Sequence, residues 1–142
     1  MRIELLTWEQ AEAAAAPIRF AIFMHEKHVE GIELDALDKD CLHAVAYDDS
    51  GSAIGTARLM PDGQIGRMAV VKDWRRRGVG GELLDALIAE ARKRGLSEVR
   101  LSAPLQALEF YRSQGFIPDG KILEVDGVLQ QAMRKPLGGP AG

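Results

Sequence analysis

The segment from residue 68 to residue 84, MAVVKDWRRRGVGGELL, constrains the fold of this chain more than any other. An apolar run at 68–71 is typical of a strand, and apolar residues then recur at helical spacing from Val79 to Ala91. Free N–H groups at a helix N-terminus favour an anion. Gly78 and Gly80 carry no Cβ that would block it, and the arginines at 75–77 add charged donors. The segment therefore predicts a phosphate-binding turn between a strand and a helix.

The glycine spacing in this turn restricts the type of phosphate site. A dinucleotide-binding G-x-G-x-x-G motif would need a third glycine, but Leu83 stands in its place. A P-loop would need G-x-x-x-x-G-K-[ST], which the chain lacks. The pattern R-x-x-G-x-G, from Arg75 to Gly80, does fit. The alternative at this point is a basic helix cap whose glycines serve packing alone.

Alternation of apolar and polar residues, together with turn residues, predicts the other elements. A first helix begins after Thr7 as its N-cap and runs to about Lys27, with a break or kink near Pro17. A helix at 78–94 and a short one at 105–114 follow, and Pro104 suits the first turn of the latter. Strands are predicted at 2–6, 41–47, 53–60, 64–71, 98–103, 116–117, 122–125 and 128–135. These elements predict one mixed α/β domain over residues 1–137, with a frayed tail at 138–142.

Composition excludes several functional classes. The chain has 142 residues and a net charge of -3, which does not suit a general nucleic-acid surface. Its single cysteine, Cys41, cannot form an internal disulfide, and no Cys/His cluster has the spacing of a metal site. The absence of a long apolar run predicts no membrane span, and a cytoplasmic location is the default expectation. The near-neutral total combines net -4 at residues 25–40 with net +3 at residues 72–77.

Further motifs, in order along the chain, resemble the GNAT superfamily of N-acetyltransferases. They are GTARL at 55–59, IGRMAV at 65–70, the turn itself, and F-Y-x-x-x-G-F at 110–116. Within that superfamily the chain is most similar to the ElaA-like group, with F-x-x-E at 23–26 and E-x-D-x-x-D at 33–38. The resemblance implies a mixed six- to seven-stranded sheet flanked by about four helices. It also implies transfer of an acetyl group from acetyl-CoA to a primary amine in a ternary complex, without a metal.

The resemblance also implies roles for particular residues. Tyr111 would be the acid that protonates the departing thiolate, and Glu26 would be the base. Pantetheine would pair with the backbone near Met68, and the turn would hold the pyrophosphate. The cofactor-binding residues are then Met68, Ala69, Val70, Arg75, Arg76, Arg77, Gly78, Val79, Gly80, Gly81 and Tyr111.

Each of these roles has an ordinary structural alternative. An aromatic side chain in the last helix could simply pack, although Phe110 suits that better than Tyr111. Glu26 could be a solvated helix residue. His25 and His28 are more readily solvated than metal-binding, and His43 in a strand is expected to be packed or hydrogen-bonded.

The acids Glu33, Asp35 and Asp38 either attract a cationic acceptor, a small molecule or a peptide amine, or act as caps and surface pairs. Trp74 either flanks the cofactor or anchors the turn. Cys41 has no neighbour that would activate it.

Two residues depart from the family pattern. Pro104 replaces a side-chain amide that often precedes the last helix, and Gln130 stands where the ElaA-like group tends to have histidine. These departures leave two rivals to the acetyltransferase interpretation: a CoA-binding sensor or partner module with little catalysis, and a transferase of a longer acyl group. A homodimer is a further expectation, by analogy with this fold.

Overall fold

Seven strands and three α-helices occur in the part of the chain described by the computed structural model, residues 1–22, 37–125 and 127–138. The prediction of a mixed fold with six to seven strands is confirmed. In chain order the elements are β1 (Arg2–Leu6), α1 (Trp8–Arg19), β2 (Leu42–Tyr47), β3 (Ala53–Leu59), β4 (Ile65–Val70), α2 (Val79–Lys93), β5 (Glu98–Pro104), α3 (Leu108–Ser113), β6 (Ile117–Val125) and β7 (Val128–Pro136).

The strands form two sheets rather than one continuous sheet. The first is an antiparallel meander in the order β1-β2-β3-β4, and the second has the order β5-β7-β6. A single parallel bridge between Gln64 and Arg100 links the sheets, supported by a 3.0 Å bond from the Arg100 N–H to the Gly63 carbonyl. Beyond that bridge β4 pairs only with β3 among the described strands, so β4 and β5 diverge.

The first helix begins as predicted. Thr7 and Gln10 form a reciprocal capping box, in which each side chain bonds the backbone N–H of the other. Pro17 does not break the helix, which continues through it and ends at Arg19, followed by a wider π-helical turn at 20–22. The predicted continuation from residue 23 to Lys27 lies outside the described residues.

Helices cover both faces of the first sheet. Leu83, Leu84, Leu87 and Ile88 of α2 are fully or almost fully buried in the main core. A Cβ on Gly55 of β3 would stand 3.0 Å from Val79, so glycine lets α2 approach the sheet closely. On the opposite face Ile18 and Ile22, from α1 and the turn after it, pack against Ala69.

The segment predicted as one helix at 105–114 is divided. A 3₁₀ turn at Leu105–Ala107 precedes α3. Pro104 was expected to suit the first turn of this helix. It is instead the last residue of β5 and has an extended backbone with ψ 146°. Its fixed φ and missing N–H suit a strand end as well as a helix start.

Candidate functional site

The gap between β4 and β5 forms the centre of the site. Because β4 has no strand partner on this side in the described structure, the backbone groups that residues 68–70 turn away from β3 face the gap. Arg67, just before them, has φ 51°, and the pairing with β3 shifts register there. This bulge bends β4 at the point where the two sheets separate.

The basic turn follows the end of β4 directly. The Arg75 Nε donates a 3.0 Å hydrogen bond to the Val70 carbonyl, which fixes the turn to the strand. The Arg77 guanidinium lies 4.8 Å from the centre of the Trp74 ring, and Trp74 itself packs against the core. Trp74 therefore anchors the turn and supports Arg77. The arginine side chains at 75–77 are exposed, so an anion in solution can reach them.

Gly78 is required by the backbone conformation. It is the N-cap of α2 with φ 85° and ψ 4°, a left-handed conformation that favours glycine. No side chain caps the helix there, so the first N–H groups of α2 point outward without a side-chain acceptor. A Cβ at Gly78 would meet no protein atom within 4 Å and would instead project into this open region.

Gly80 lies beside α3 and β4. A Cβ at Gly80 would stand 3.4 Å from the Phe110 ring and 3.6 Å from the Met68 Sδ. These are ordinary van der Waals distances, so the neighbouring side chains alone do not require glycine at this position.

Tyr111 lies at the inner end of the gap. Its Oη is 3.8 Å from the Met68 Sδ, a weak O–H···S contact between α3 and β4. The ring packs edge-on against Phe116, with ring centres 5.9 Å apart. Burial raises the pKa of Tyr111 to about 12, so the phenol keeps its proton at neutral pH and acts as a donor.

The expectation that Phe110 packs better than Tyr111 is wrong. Phe110 is 37% exposed at the edge of the turn, whereas Tyr111 is half-buried against the main core. The structure thus brings together Tyr111, the β4 edge and the basic turn. Glu26, His25 and His28 lie outside the described residues.

Asp38 belongs to a buried charged cluster on the α1 face of the first sheet. Its carboxylate accepts two 2.8 Å bonds from Arg19 and one of 2.9 Å from Arg58, and it is 1% exposed. The predicted role of Asp38 in attracting a cationic acceptor is therefore replaced by a structural one. Glu33 and Asp35 lie outside the described residues.

His43 belongs to the same cluster. Its Nε2 is 2.8 Å from the Asp38 carbonyl, and its ring packs at a tilt of 44° against Trp8, with ring centres 4.8 Å apart. The prediction of a packed, hydrogen-bonded histidine is confirmed. Desolvation by burial lowers the pKa of His43 below its usual value, so the ring is neutral at neutral pH.

Two patterns in the sequence are consistent with this cluster. Arg58 alternates with Ile54 and Thr56 along β3, and all three are buried. Arg19 lies four residues after the buried Ala15, on the same face of α1. Cys41 is buried beside this cluster, with its Sγ 3.2 Å from the Leu37 carbonyl. No group of three metal-binding side chains occurs among residues 1–22, 37–125 and 127–138.

The two departures from the family pattern lie side by side. Pro104 and Gln130 are direct partners in the antiparallel pairing of β5 with β7. Residues opposite each other share a face of the sheet, so the amide of Gln130 lies on the same face as Pro104. Their adjacency could not be seen from the sequence, because 26 positions separate them.

Comparison with known proteins supports the geometric evidence. The family model for the acetyltransferase (GNAT) domain matches residues 11–137. The chain belongs to the GNAT acetyltransferase family. A Bacillus subtilis (strain 168) protein, provisionally named an acetyltransferase, is 32% identical over 95% of this chain and 96% of its own length.

Solved GNAT structures share the architecture. A provisionally named N-acetyltransferase from Lactobacillus plantarum matches with a TM-score of 0.88 and 30% identity, covering 96% of this chain and 97% of its own. Escherichia coli ElaA has the same fold, with a TM-score of 0.85 and 22% identity over 95% of this chain and 99% of its own. The expected GNAT membership is confirmed, and the chemistry of this GNAT family is acyl-CoA-dependent acyl transfer.

No helix in the described parts of the chain combines the length and apolar character needed to cross a membrane.

Proposed function

We propose that this GNAT protein transfers the acetyl group of acetyl-CoA to a primary amine by direct attack in a ternary complex. The observation that carries the proposal is the contact of Tyr111 with Met68 on the edge of β4, directly before the basic turn. An uncapped helix N-terminus and exposed arginines follow one end of this edge, and a protonated phenol lies against Met68. These groups fit an acyl-CoA, in which the pantetheine arm joins a pyrophosphate to a thioester.

The turn would bind the pyrophosphate. The N–H groups of residues 78–81 and the helix dipole favour its negative charge. Arg76 and Arg77 are exposed and supply further charge, whereas Arg75 already bonds the end of β4 through its Nε. The β4 edge at residues 68–70 would then pair with the amides of the pantetheine arm and place an N–H near the acyl carbonyl oxygen.

The thioester supplies an electrophilic carbonyl: the amine nitrogen forms the new C–N bond, the C–S bond breaks, and CoA leaves as a thiolate. Tyr111 Oη donates its proton to that sulfur. Because burial disfavours the phenolate, Tyr111 must be reprotonated promptly by the proton that the nitrogen loses, through water.

Glu26 is our candidate for accepting the proton of an ammonium substrate before attack. Glu33 and Asp35 remain candidates for attracting a cationic acceptor, a small molecule or a peptide. Ile22, four residues ahead of Glu26 in the sequence, packs against Ala69 of β4. The chain therefore enters this segment beside the proposed thioester site.

The test of the proposal combines binding and catalysis. We expect acetyl-CoA to raise the melting temperature of the protein, and NADH, which also contains a pyrophosphate, to leave it unchanged. We then expect thiol release from acetyl-CoA in the presence of at least one member of a panel of polyamines, amino sugars and lysine peptides. No thermal shift at millimolar acetyl-CoA would refute the proposal.

A second candidate, a CoA-binding sensor, is favoured by one observation. Pro104 and Gln130 are paired and carry neither of the side chains that the family pattern has there. Thermal stabilisation by acetyl-CoA without thiol release across the amine panel would support the sensor.

A further inference from the structure

The side chain of Met68 fills the space in front of the Tyr111 phenol. Its Sδ is 3.8 Å from the Tyr111 Oη, and a Cβ on Gly80 would be 3.6 Å from the same sulfur. Met68 is half-buried and packs against the main core. The thioether is thus held between the N-terminus of α2 and the phenol.

A thioester sulfur would need the same place. A phenol has one O–H to donate, and here Met68 is positioned to accept it. Methionine is unbranched and has three rotatable side-chain bonds, so its end can move aside at low cost. Its Cβ stays on β4, however, so the displaced side chain remains beside the incoming thioester. The thioester sulfur carries the pantetheine arm on one side and the acyl chain on the other. Pantetheine would approach from the turn, past Val70, so the group beyond the sulfur at Met68 would be the acyl chain.

We infer that Met68 sets the length of the acyl chain that this site accepts. The inference rests on the proposed function, because it assumes that the thioester sulfur binds at Tyr111 Oη. An acetyl group adds one methyl beyond the carbonyl, whereas longer chains need the volume that the Met68 side chain occupies. Removing that volume should admit longer chains without disturbing the pyrophosphate turn.

The experiment measures binding rather than turnover. Dissociation constants for acetyl-CoA and butyryl-CoA are determined by calorimetry without an amine, for wild type and Met68→Ala. Butyryl has two more carbons than acetyl, and burying each CH₂ strengthens binding about fourfold. We expect the affinity ratio of butyryl-CoA to acetyl-CoA to rise about tenfold or more in Met68→Ala.

Two controls isolate side-chain volume at this position. Met68→Leu, which keeps most of the volume but loses the sulfur, should keep the wild-type ratio. Met60→Ala makes the same truncation at a residue outside the gap and should also keep it. If Met68→Ala does not fold, Met68→Val provides a smaller truncation for the same comparison.

The outcomes separate the two proposals. Wild-type binding of acyl-CoA with an unchanged ratio in the truncated variants would overturn the inference and leave the proposed function standing. Failure of the wild type to bind either acyl-CoA would overturn both.

Discussion

The Arg19 guanidinium donates a hydrogen bond to each carboxylate oxygen of Asp38, from Nη1 and from Nη2, both at 2.8 Å. Both residues are 1% exposed, and Arg58 adds a third bond to the same carboxylate. The pair joins α1 to the 3₁₀ turn that precedes β2, and Arg58 extends it to β3. A fully desolvated, bidentate pair of this kind holds its elements in one geometry.

Replacing Asp38 by alanine should therefore destabilise the fold strongly. The substitution leaves two buried guanidinium groups without their shared carboxylate, which typically costs about 3–5 kcal/mol. The measurement is the free energy of unfolding in urea. Asp40→Ala removes an exposed acid from the same short turn and should cost less than about 0.5 kcal/mol. Equal stability losses in the two variants would contradict the structural role of Asp38.

His43 should make stability depend on pH below about 6.5. Its pKa is lowered in the folded state, so the unfolded chain takes up a proton first as the pH falls. Its neutral form therefore contributes stability that is complete above the unfolded pKa and is lost as the pH falls toward the folded pKa. Urea unfolding at pH 7.5, 6.5 and 5.5 should show the decline, and His43→Gln should flatten it. If the free energy of unfolding falls with pH equally in the wild type and in His43→Gln, other groups cause the fall.

Tyr111→Phe should lower kcat by about a hundredfold or more, as expected for loss of a general acid. The ring packing on Phe116 is kept, so acetyl-CoA binding by calorimetry should change little. Tyr47→Phe, on the half-buried end of β2, is the matched control and should leave kcat unchanged. Undiminished turnover in Tyr111→Phe would show that another group protonates the thiolate.

Gly78→Ala should weaken acyl-CoA binding, whereas Gly51→Ala, which introduces similar backbone strain, should not. Gly78 and Gly51 have φ 85° and 88°, and a Cβ at either would meet no protein atom within 4 Å. Alanine at either position should thus cost a similar amount, about 1–2 kcal/mol of stability. Only the Cβ at Gly78 projects into the proposed pyrophosphate site. We expect its acetyl-CoA affinity to fall at least about tenfold, as for the loss of one hydrogen bond to a charged group.

Gly51→Ala should keep wild-type affinity for acetyl-CoA. If both variants lose affinity equally, the effect comes from general loosening of the fold and not from the turn.

Local patterns in the sequence were sufficient to predict the elements that depend on near neighbours. The N-cap at Thr7 and the 3.6-residue period of α2 are both properties of short segments, as is the turn that ends at Gly78. The arrangement of these elements in the fold was predicted from the family resemblance.

Contacts between distant segments could not be predicted in this way. Asp38 meets Arg58 across 20 positions, and Tyr111 meets Met68 across 43. The sequence therefore pointed to the backbone of Met68 but not to its side chain. The same limit applies to Pro104, whose fixed φ is compatible with both a helix start and a strand end, and the pairing of β5 with β7 decides between them.

The central place of β7 in the second sheet has a consequence for synthesis of the protein. β5 has β7 as its only strand partner in the described structure, apart from the single bridge to Gln64. We expect the meander β1–β4 to form while translation continues, since its partners are consecutive along the chain. The far side of the proposed acyl-CoA site, formed by the second sheet, must wait for residues 128–136. A ribosome that stalls at residue 125 would thus hold a nascent chain with a folded first sheet but an incomplete second one.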